Sequence, residues 1–471
     1  MSTVPQVSQA MRWVLEEYPH QIERETKFVQ RSSAKLDGAH FVQCLVFAWM
    51  ADPDAGYTKL RHAAATLGVS VSNQAVEQRF SPASALLLKR VVQQAGLQLI
   101  CSEGRVPELF SRFAGVYIQD GSVISLPEEL AQQYPGCGGS TIEAGLSSLR
   151  IRMRWEMGLG ELQGPWLQAG REAECSGEAM EIPMPAGSLF IADTGYFTLP
   201  DMRRRGVDHF WITPAKSKLC LFDAAGVKWT LETFLQAHRQ ETQIDEWVQV
   251  GAQERLPVRL IAVKSSAEQA KRRREWACTT HYMPRRHKGA QRCGPRRGKQ
   301  PPASKKKSFS KQKTKRSSAT KLRLADWTIL LTNVPGERLS VDEVLVLMRI
   351  RWQEELLWKW WKQYGKIDTW RSEKPVRIET EIYAKLIGVL IEHWIDVLGC
   401  WRDPRRSLRK AQQMSQWAAS ALSFALSGEM DLDRAIARIT GAMNKGCRID
   451  SRRSKPNTYQ LVASPQLIRA P

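Results

Sequence analysis

The stretch that most constrains the fold is MRIRWQEELLWKWWK, residues 348–362, which predicts a single amphipathic helix. At about 100° per residue, Arg351 and Lys362 return to the side of the helix that carries Glu355, so two cations flank one carboxylate. Such a carboxylate stays ionised, and the cations can also bind a phosphate. An ordinary surface helix with salt bridges has the same pattern, so this stretch alone leaves both interpretations open.

Length and charge narrow the class of protein. A chain of 471 residues is too long for one typical core, and a formal charge of +21 implies a polyanionic partner. Nucleic acid is favoured over a membrane surface because no basic amphipathic anchor stands out. There is no apolar run of about 18 residues and no signal-peptide core, which predicts a soluble, intracellular protein. Nine cysteines without a CxxC pair fit reduced thiols better than a disulfide framework.

Residues 1–110 are predicted to form an all-α, DNA-binding N-terminal region. Its helical stretches are 41–50, 60–80 and 84–96. Within the second stretch, the small-residue, turn and packing positions of a helix-turn-helix are matched by Ala64, Gly68 and Val76. The predicted DNA contacts on its second helix are Asn73, Gln74 and Arg79. A plain helical hairpin fits the same pattern.

From residue 111 to 216 the pattern changes to strands. Alternating or apolar runs predict three strands, VYIQDGSVISLP, LRIRMRWEM and GPWLQAG, and then a short buried strand in SLFIADTGYF. A basic helical turn, LPDMRRRG, and a strand, HFWITPAK, follow. This order predicts an RNase H-like α/β core with a mixed five-stranded sheet, which the helix at 348–362 would close.

A long insertion, residues 217–337, separates that core from its closing helix. It contains strand-like pieces and a basic arm, residues 264–323, with 21 lysines and arginines against two glutamates. Nearly all of the excess positive charge therefore lies in the arm. A block of this kind is usually a solvated, mobile segment, and such segments also bind phosphate backbones without sequence preference.

The rest of the chain is predicted to be largely helical. Residues 338–400 would complete the core with the catalytic helix, and residues 401–471 would form a helical C-terminal region and a tail.

Three carboxylates occupy comparable places in the predicted core: Asp120 on the first strand, Asp193 at the end of the fourth and Glu355 on the closing helix. An RNase H-like arrangement brings them together, and carboxylates gathered so closely imply a hard divalent cation among them. Each has a structural alternative, because Asp120 precedes a glycine as turn aspartates do and Asp193 can cap a helix.

These residues carry a resemblance to the DDE transposases of the insertion-sequence-four family. The family signature Y-x2-R-x3-E-x6-K falls on Met348, Arg351, Glu355 and Lys362. YIQDGSVISLP, IADTGYF and WTILLTNVP resemble other blocks of the family, in the same order, over roughly residues 20–430. Methionine replaces the family tyrosine at position 348.

The resemblance implies a cut-and-paste transposase of prokaryotic, cytoplasmic origin that acts as a dimer on double-stranded DNA. Asp120, Asp193 and Glu355 would bind Mg²⁺, for which Mn²⁺ can substitute, while Arg351 and Lys362 hold phosphates. Further DNA contacts are expected from Lys359, Arg272, Arg273 and Arg274. In relatives the β-rich insertion helps to hold a flipped base, for which the candidate stacking residues are Trp229, Trp247 and Trp276.

Other interpretations stay open. An inactive, transposase-derived DNA-binding protein fits the loss of the tyrosine, and another RNase H-like nuclease, such as a Holliday-junction resolvase, would share the three acids. A zinc site in the arm would use Cys278, His281, His287 and Cys293, whose spacing matches no common finger. The tryptophans at 352, 358, 360 and 361 fit a helix core better than a base-stacking surface.

Overall fold

The computed structural model describes residues 2–31, 35–102, 106–136, 146–172, 183–196, 198–278, 319–401, 403–452 and 455–469. The chain divides into two compact units. The first contains residues 1–196, 208–211 and 337–471, and the second contains residues 197–207 and 212–336. The middle of the basic arm, residues 279–318, lies outside the described residues, and the predicted zinc set falls there apart from Cys278, whose side chain is also not described.

Helices make up most of the first unit. They are α1 (Val4–Arg12), α2 (Tyr18–Ile22), α3 (Gly38–Ala51), α4 (Tyr57–Thr66), α5 (Asn73–Gln78), α6 (Pro82–Gly96), α7 (Glu108–Ser111), α12 (Val341–Ile350), α13 (Trp352–Gln363), α14 (Pro375–Cys400), α15 (Leu408–Leu426), α16 (Leu432–Gly446) and α17 (Thr458–Ala463). The longest, α14, packs against α3, α6, α15 and α16 and is buried on all sides. No helix in the described ranges is long and apolar enough to span a membrane.

The strands of the first unit are β1 (Val116–Ser125), β2 (Ser148–Glu156), β3 (Leu162–Ala169), β4 (Leu189–Ala192) and the start of β5 (Phe210–Pro214). Their order is β3-β2-β1-β4-β5, with β1 antiparallel to β2 and parallel to β4. The predicted succession of three strands and then a fourth is confirmed. β4 is buried throughout, as its continuous apolar run predicts for a strand covered on both faces.

The second unit contains α8 (Leu199–Arg205), the rest of β5, β6 (Cys220–Phe222), β7 (Lys228–Thr230), α9 (Leu231–Ala237), β8 (Gln243–Val250), β9 (Leu256–Lys264), α10 (Ala267–Cys278), α11 (Ala319–Leu324) and β10 (Trp327–Thr332). Its strand order is β5-β10-β9-β8-β6-β7. The β-rich character predicted for the insertion is present. Ten strands are described instead of five, because the strands of the insertion pair by hydrogen bonds with β5 and with one another.

The single helix predicted for residues 348–362 is wrong. Two helices, α12 and α13, meet at Arg351. The amide of Glu354 donates to the Arg351 carbonyl at 3.1 Å, three residues back, so the backbone tightens there instead of continuing the regular four-residue spacing. The capping box at the start of α12 is present: Ser340 Oγ accepts from the Glu343 amide, and the Glu343 carboxylate accepts from the Ser340 amide at 2.8 Å.

His393 joins α14 to the turn between β2 and β3. Its Nε2 donates to the Gly160 carbonyl at 2.7 Å, and its ring is 4% exposed. Burial lowers the pKa of His393 to about 4, although the hydrogen bond to Gly160 opposes this shift. His393 is therefore protonated near pH 6.5 in the unfolded chain but only near pH 4 in the folded protein.

We expect His393 to make the protein sensitive to acid. Its contribution to the unfolding free energy is complete above pH 6.5 and is lost as the pH falls towards 4, a change of about 3 kcal/mol. Urea unfolding of wild type and His393→Gln across this range isolates the effect, because the buried carboxyls of Glu392 and Asp396, whose pKa values burial raises, are common to both proteins. Parallel stability curves for the two proteins would contradict this assignment.

Candidate active site

Asp120 and Asp193 lie next to each other on neighbouring strands. The parallel register of β1 and β4 pairs Gln119 with Ala192; Asp120 is the next residue on β1, and Asp193 is the first residue after β4. Adjacent strands lie about 4.8 Å apart, so both acids occupy the same level of the sheet. The strand register thus places side by side two acidic residues that are 73 positions apart in the chain.

Asp193 lies at the point where β4 leaves the core. The four residues of β4 are buried, whereas Asp193 is exposed and starts a short 3₁₀ turn that ends at the buried Tyr196. Its Oδ1 accepts a hydrogen bond from the Thr194 amide at 2.7 Å. This bond goes to the next residue and not to the second or third residue of a helix, so it is not a helix cap, and the carboxylate is exposed to solvent.

Helix α13 packs on β1. The Nζ of Lys362 donates to the Val123 carbonyl of β1 at 3.2 Å. Glu355 accepts from Arg351 Nη2 at 2.8 Å, the pair predicted from their spacing, and the side chain of Glu355 is 35% exposed. Arg351 and Glu355 therefore lie at the start of α13 and Lys362 lies in its last turn, along the helix that packs on the strand of Asp120.

Glu354 is a residue that the sequence interpretation missed. Its side chain is 1% exposed, and neither carboxylate oxygen has a hydrogen-bond partner. Burial raises the pKa of Glu354 well above its usual range, and the charge of Asp120 adds to this shift. Arg351 and a weak hydrogen bond with the backbone of Asp120 oppose it. A signal was available, because Glu354 shares the apolar face of α13 with Leu357, Trp358 and Trp361, at offsets of three, four and seven.

The three predicted acids do not close into a tight ligand set. Such a set consists of three or more histidine, cysteine, aspartate or glutamate side chains whose ligand atoms all lie within 4.8 Å of one another. In the part of the chain that the structure describes, the only such group is His20, Glu23 and Asp37. The strands and the helix that carry Asp120, Asp193 and Glu355 are therefore neighbours, as expected, but the three carboxylates do not form a compact group. The carboxylate of Glu355 is held by Arg351 instead.

The set of His20, Glu23 and Asp37 is explained by the start of α3. Glu23 accepts from the Gly38 amide at 2.7 Å, and Asp37 accepts from the His40 amide at 2.8 Å. A side chain at Gly38 would put a Cβ 2.9 Å from the Glu23 Cβ, so the glycine permits this close approach. Both carboxylates satisfy amides of the first helical turn, where negative charge is stabilising.

The predicted DNA contacts differ in their surroundings. Lys359 is exposed on α13. In the second unit, the three arginines of α10 have partners within the chain: Arg272 pairs with Glu268, Arg274 with Asp326, and Arg273 donates to the Trp327 carbonyl at 2.9 Å. A DNA phosphate at α10 would compete with these contacts.

The N-terminal contacts also separate into two groups. Asn73 and Gln74 are exposed at the start of α5, which has six residues. Arg79 is instead a packing residue, since its guanidinium lies 4.0 Å from the centre of the Phe28 ring and donates to the Leu36 carbonyl at 2.6 Å.

The tryptophan candidates are divided by burial. Trp358 and Trp361 are core residues, whereas Trp352 is 55% exposed and borders, with Arg351, a cavity of about 1240 Å³ in the first unit. In the second unit, Trp229 donates to Asp223 at 2.9 Å and Trp247 is 50% exposed. The side chain of Trp276 lies outside the described residues.

Comparison with known proteins gives one family match. Residues 179–391 match a family model described as a transposase DDE domain. The matched range includes Asp193 and Glu355 and begins after Asp120.

Curated relatives cover most of the chain. The transposase for insertion sequence element IS231F of Bacillus thuringiensis subsp. israelensis is 26% identical over 415 residues, 82% of this chain and 79% of the relative. The transposase for IS231E of Bacillus thuringiensis subsp. finitimus is 24% identical, over 78% of this chain and 74% of the relative. The transposase for IS1151 of Clostridium perfringens is 22% identical, over 80% of this chain and 77% of the relative.

Proposed function

We propose that the chain is a DDE-type transposase of an insertion sequence, which its similarity to the transposase DDE domain and to the curated transposases supports. In this proposal it binds the terminal inverted repeats of its element, cleaves the DNA at the element ends and joins them to target DNA. The observation that carries this proposal is the β1–β4 register, which brings Asp120 and Asp193 to one level beside the helix that holds Glu355. Each of the three acids would act by helping to hold a divalent cation.

The donor set fits Mg²⁺, and Mn²⁺ as a substitute. Asp120, Asp193 and Glu355 offer only carboxylate oxygens, the ligands that hard divalent cations take. Glu354, a further acid on the same helix, is buried, and neither of its oxygens has a hydrogen-bond partner at ordinary geometry. Magnesium, when bound, activates the attacking water or 3′-hydroxyl and stabilises the leaving oxygen of the phosphodiester.

The cations of α12 and α13 position the DNA in this proposal. Arg351 holds Glu355 with one nitrogen of its guanidinium group and has further donors for a phosphate oxygen. Lys362 is anchored on β1, three residues beyond Asp120, so its ammonium group lies along the strand that carries the first acid. Both side chains would bind phosphates of the DNA backbone near the cut. Such contacts position the DNA but carry no sequence information.

Two copies of the chain, one for each element end, would form the complex that carries out strand transfer. The formal charge of +21 supports close contact with double-stranded DNA, and most of it lies in the arm at 264–323. We therefore expect the affinity for DNA to fall steeply with salt. Specific recognition of the repeat would come from the N-terminal region, where Asn73 and Gln74 are exposed.

The test is cleavage of a labelled duplex that carries the end of the element. We expect cutting at the boundary with Mg²⁺ or Mn²⁺, binding without cutting in Ca²⁺, and little cutting of a duplex in which the repeat is scrambled. Binding without cleavage in Mg²⁺ and Mn²⁺ would favour an inactive, transposase-derived DNA-binding protein. Cleavage without any preference for the repeat would favour another RNase H-like nuclease.

A further inference from the structure

We infer that Glu354 is a further ligand of the divalent cation bound at Asp120, in addition to the three acids of the signature. This inference rests on the proposed function. It assigns different roles to the adjacent glutamates of α13: Glu355 faces Arg351 and solvent, and Glu354 faces the sheet. At about 100° between successive residues, two such side chains point in clearly different directions.

Contacts within the protein offset the burial of Glu354 only in part. A buried carboxylate needs a hydrogen-bond donor or an opposite charge. Arg351 and the backbone of Asp120 lower the pKa of Glu354, but burial outweighs them, and neither oxygen has a partner at ordinary hydrogen-bond geometry. The negative charge of Asp120 also makes the position less favourable for a second carboxylate. A cation held by both acids would offset this repulsion and would give the oxygens of Glu354 a partner.

Other buried acids of the first unit show what a structural carboxylate looks like in this protein. Glu381 on α14 accepts from Lys385 Nζ at 2.7 Å, and Glu392 accepts from Gln412 Nε2 at 3.2 Å. Asp396 accepts from Ser415 Oγ at 3.2 Å. Each of these acids has a donor from a neighbouring side chain. Glu354 has none, and it is the one of the four that lies on the helix that packs on β1.

Simple packing does not require an acid at this position. The neighbours of Glu354 on the same face, Leu357, Trp358 and Trp361, are apolar and buried. A leucine would continue that face and would avoid the cost of burying a carboxylate, which is several kcal/mol when it is uncompensated. The carboxylate is therefore explained by a ligand, and the chemistry of the site makes that ligand a divalent cation.

The experiment measures Mn²⁺ binding to the full-length protein by electron paramagnetic resonance of the free ion. Glu354→Gln keeps the shape of the side chain, and Glu354→Leu extends the apolar face, so at least one variant should fold. We expect both to weaken Mn²⁺ binding about tenfold or more, a typical result of losing a group that supports a metal site. We also expect them to unfold at a higher temperature than wild type when Mn²⁺ is absent. Glu392→Gln is the matched control, because it neutralises another fully buried acid and should leave Mn²⁺ affinity unchanged.

Asp120→Asn separates failure of this inference from failure of the proposed function. If Asp120→Asn weakens Mn²⁺ binding and both Glu354 variants bind as wild type does, Glu354 is a protonated packing residue and the inference is overturned, while the proposed metal site stands. If Asp120→Asn also leaves Mn²⁺ binding unchanged, the metal site itself is misplaced, and the proposed function and the inference fail together.

Discussion

Asp120→Asn is expected to lower the rate of cleavage at the element end by about 100- to 1,000-fold, while the protein still binds the same duplex. Asparagine has nearly the same shape, so β1 and its pairing with β2 and β4 should be retained. The substitution removes a negative charge from the site where charge is stabilised during phosphodiester transfer, and single losses of this kind commonly cost 100- to 1,000-fold. Single-turnover cleavage in Mg²⁺, with gel-shift binding in Ca²⁺, measures the two effects separately.

Controls for this prediction come from the same unit. Asp208→Asn neutralises an exposed aspartate that precedes β5 and should cleave at the wild-type rate. Glu355→Gln should be as inactive as Asp120→Asn, because both are assigned to one cation. A variant at position 120 that retained a tenth of the wild-type rate would remove Asp120 from the catalytic set. Loss of both binding and cleavage would indicate instead that the substitution damaged the fold.

The order of elements in the core could be predicted from local patterns. Alternation in β1, the apolar run of β4 and the capping box at Ser340 each have a short sequence signature, and each element is present. The pairing of strands has no such signature. The five strands of the insertion were predicted in part, but nothing in their sequence states that they pair with β5 and with one another, and so the sheet has ten strands where five were expected.

The candidate site was predictable to the level of its elements but not of its side chains. Spacing alone predicted the Arg351–Glu355 pair, which is present at 2.8 Å. The family signature predicted Glu355 as the catalytic acid. The spacing of the apolar residues on α13 predicts Glu354 as the buried acid. The interruption at Arg351 was missed because helix propensity changes little between residues 350 and 352.

Trp155→Ala is expected to destabilise the first unit by about 3–5 kcal/mol. Trp155 on β2 is completely buried, with ring centres 5.3 Å from Trp401 and 5.8 Å from His393. These contacts join the strand beside β1 to the end of α14, so truncation leaves a large cavity between the sheet and the longest helix. A loss of this size is a large part of the 5–15 kcal/mol that usually stabilises a domain. Urea unfolding followed by far-ultraviolet circular dichroism at pH 7 measures it.

The comparison with an exposed tryptophan tests whether burial is the cause. Trp417 on α15 is 86% exposed, and Trp417→Ala should change the unfolding free energy by no more than about 0.5 kcal/mol. Trp155→Phe keeps an aromatic ring between Trp401 and His393, so its cost should be well below that of alanine. If Trp155→Ala and Trp417→Ala unfolded at the same urea concentration, the contact between β2 and α14 would not support the fold. The sheet that carries Asp120 would then be held by its strand pairing and by α6 and α13, which pack on β3 and β1.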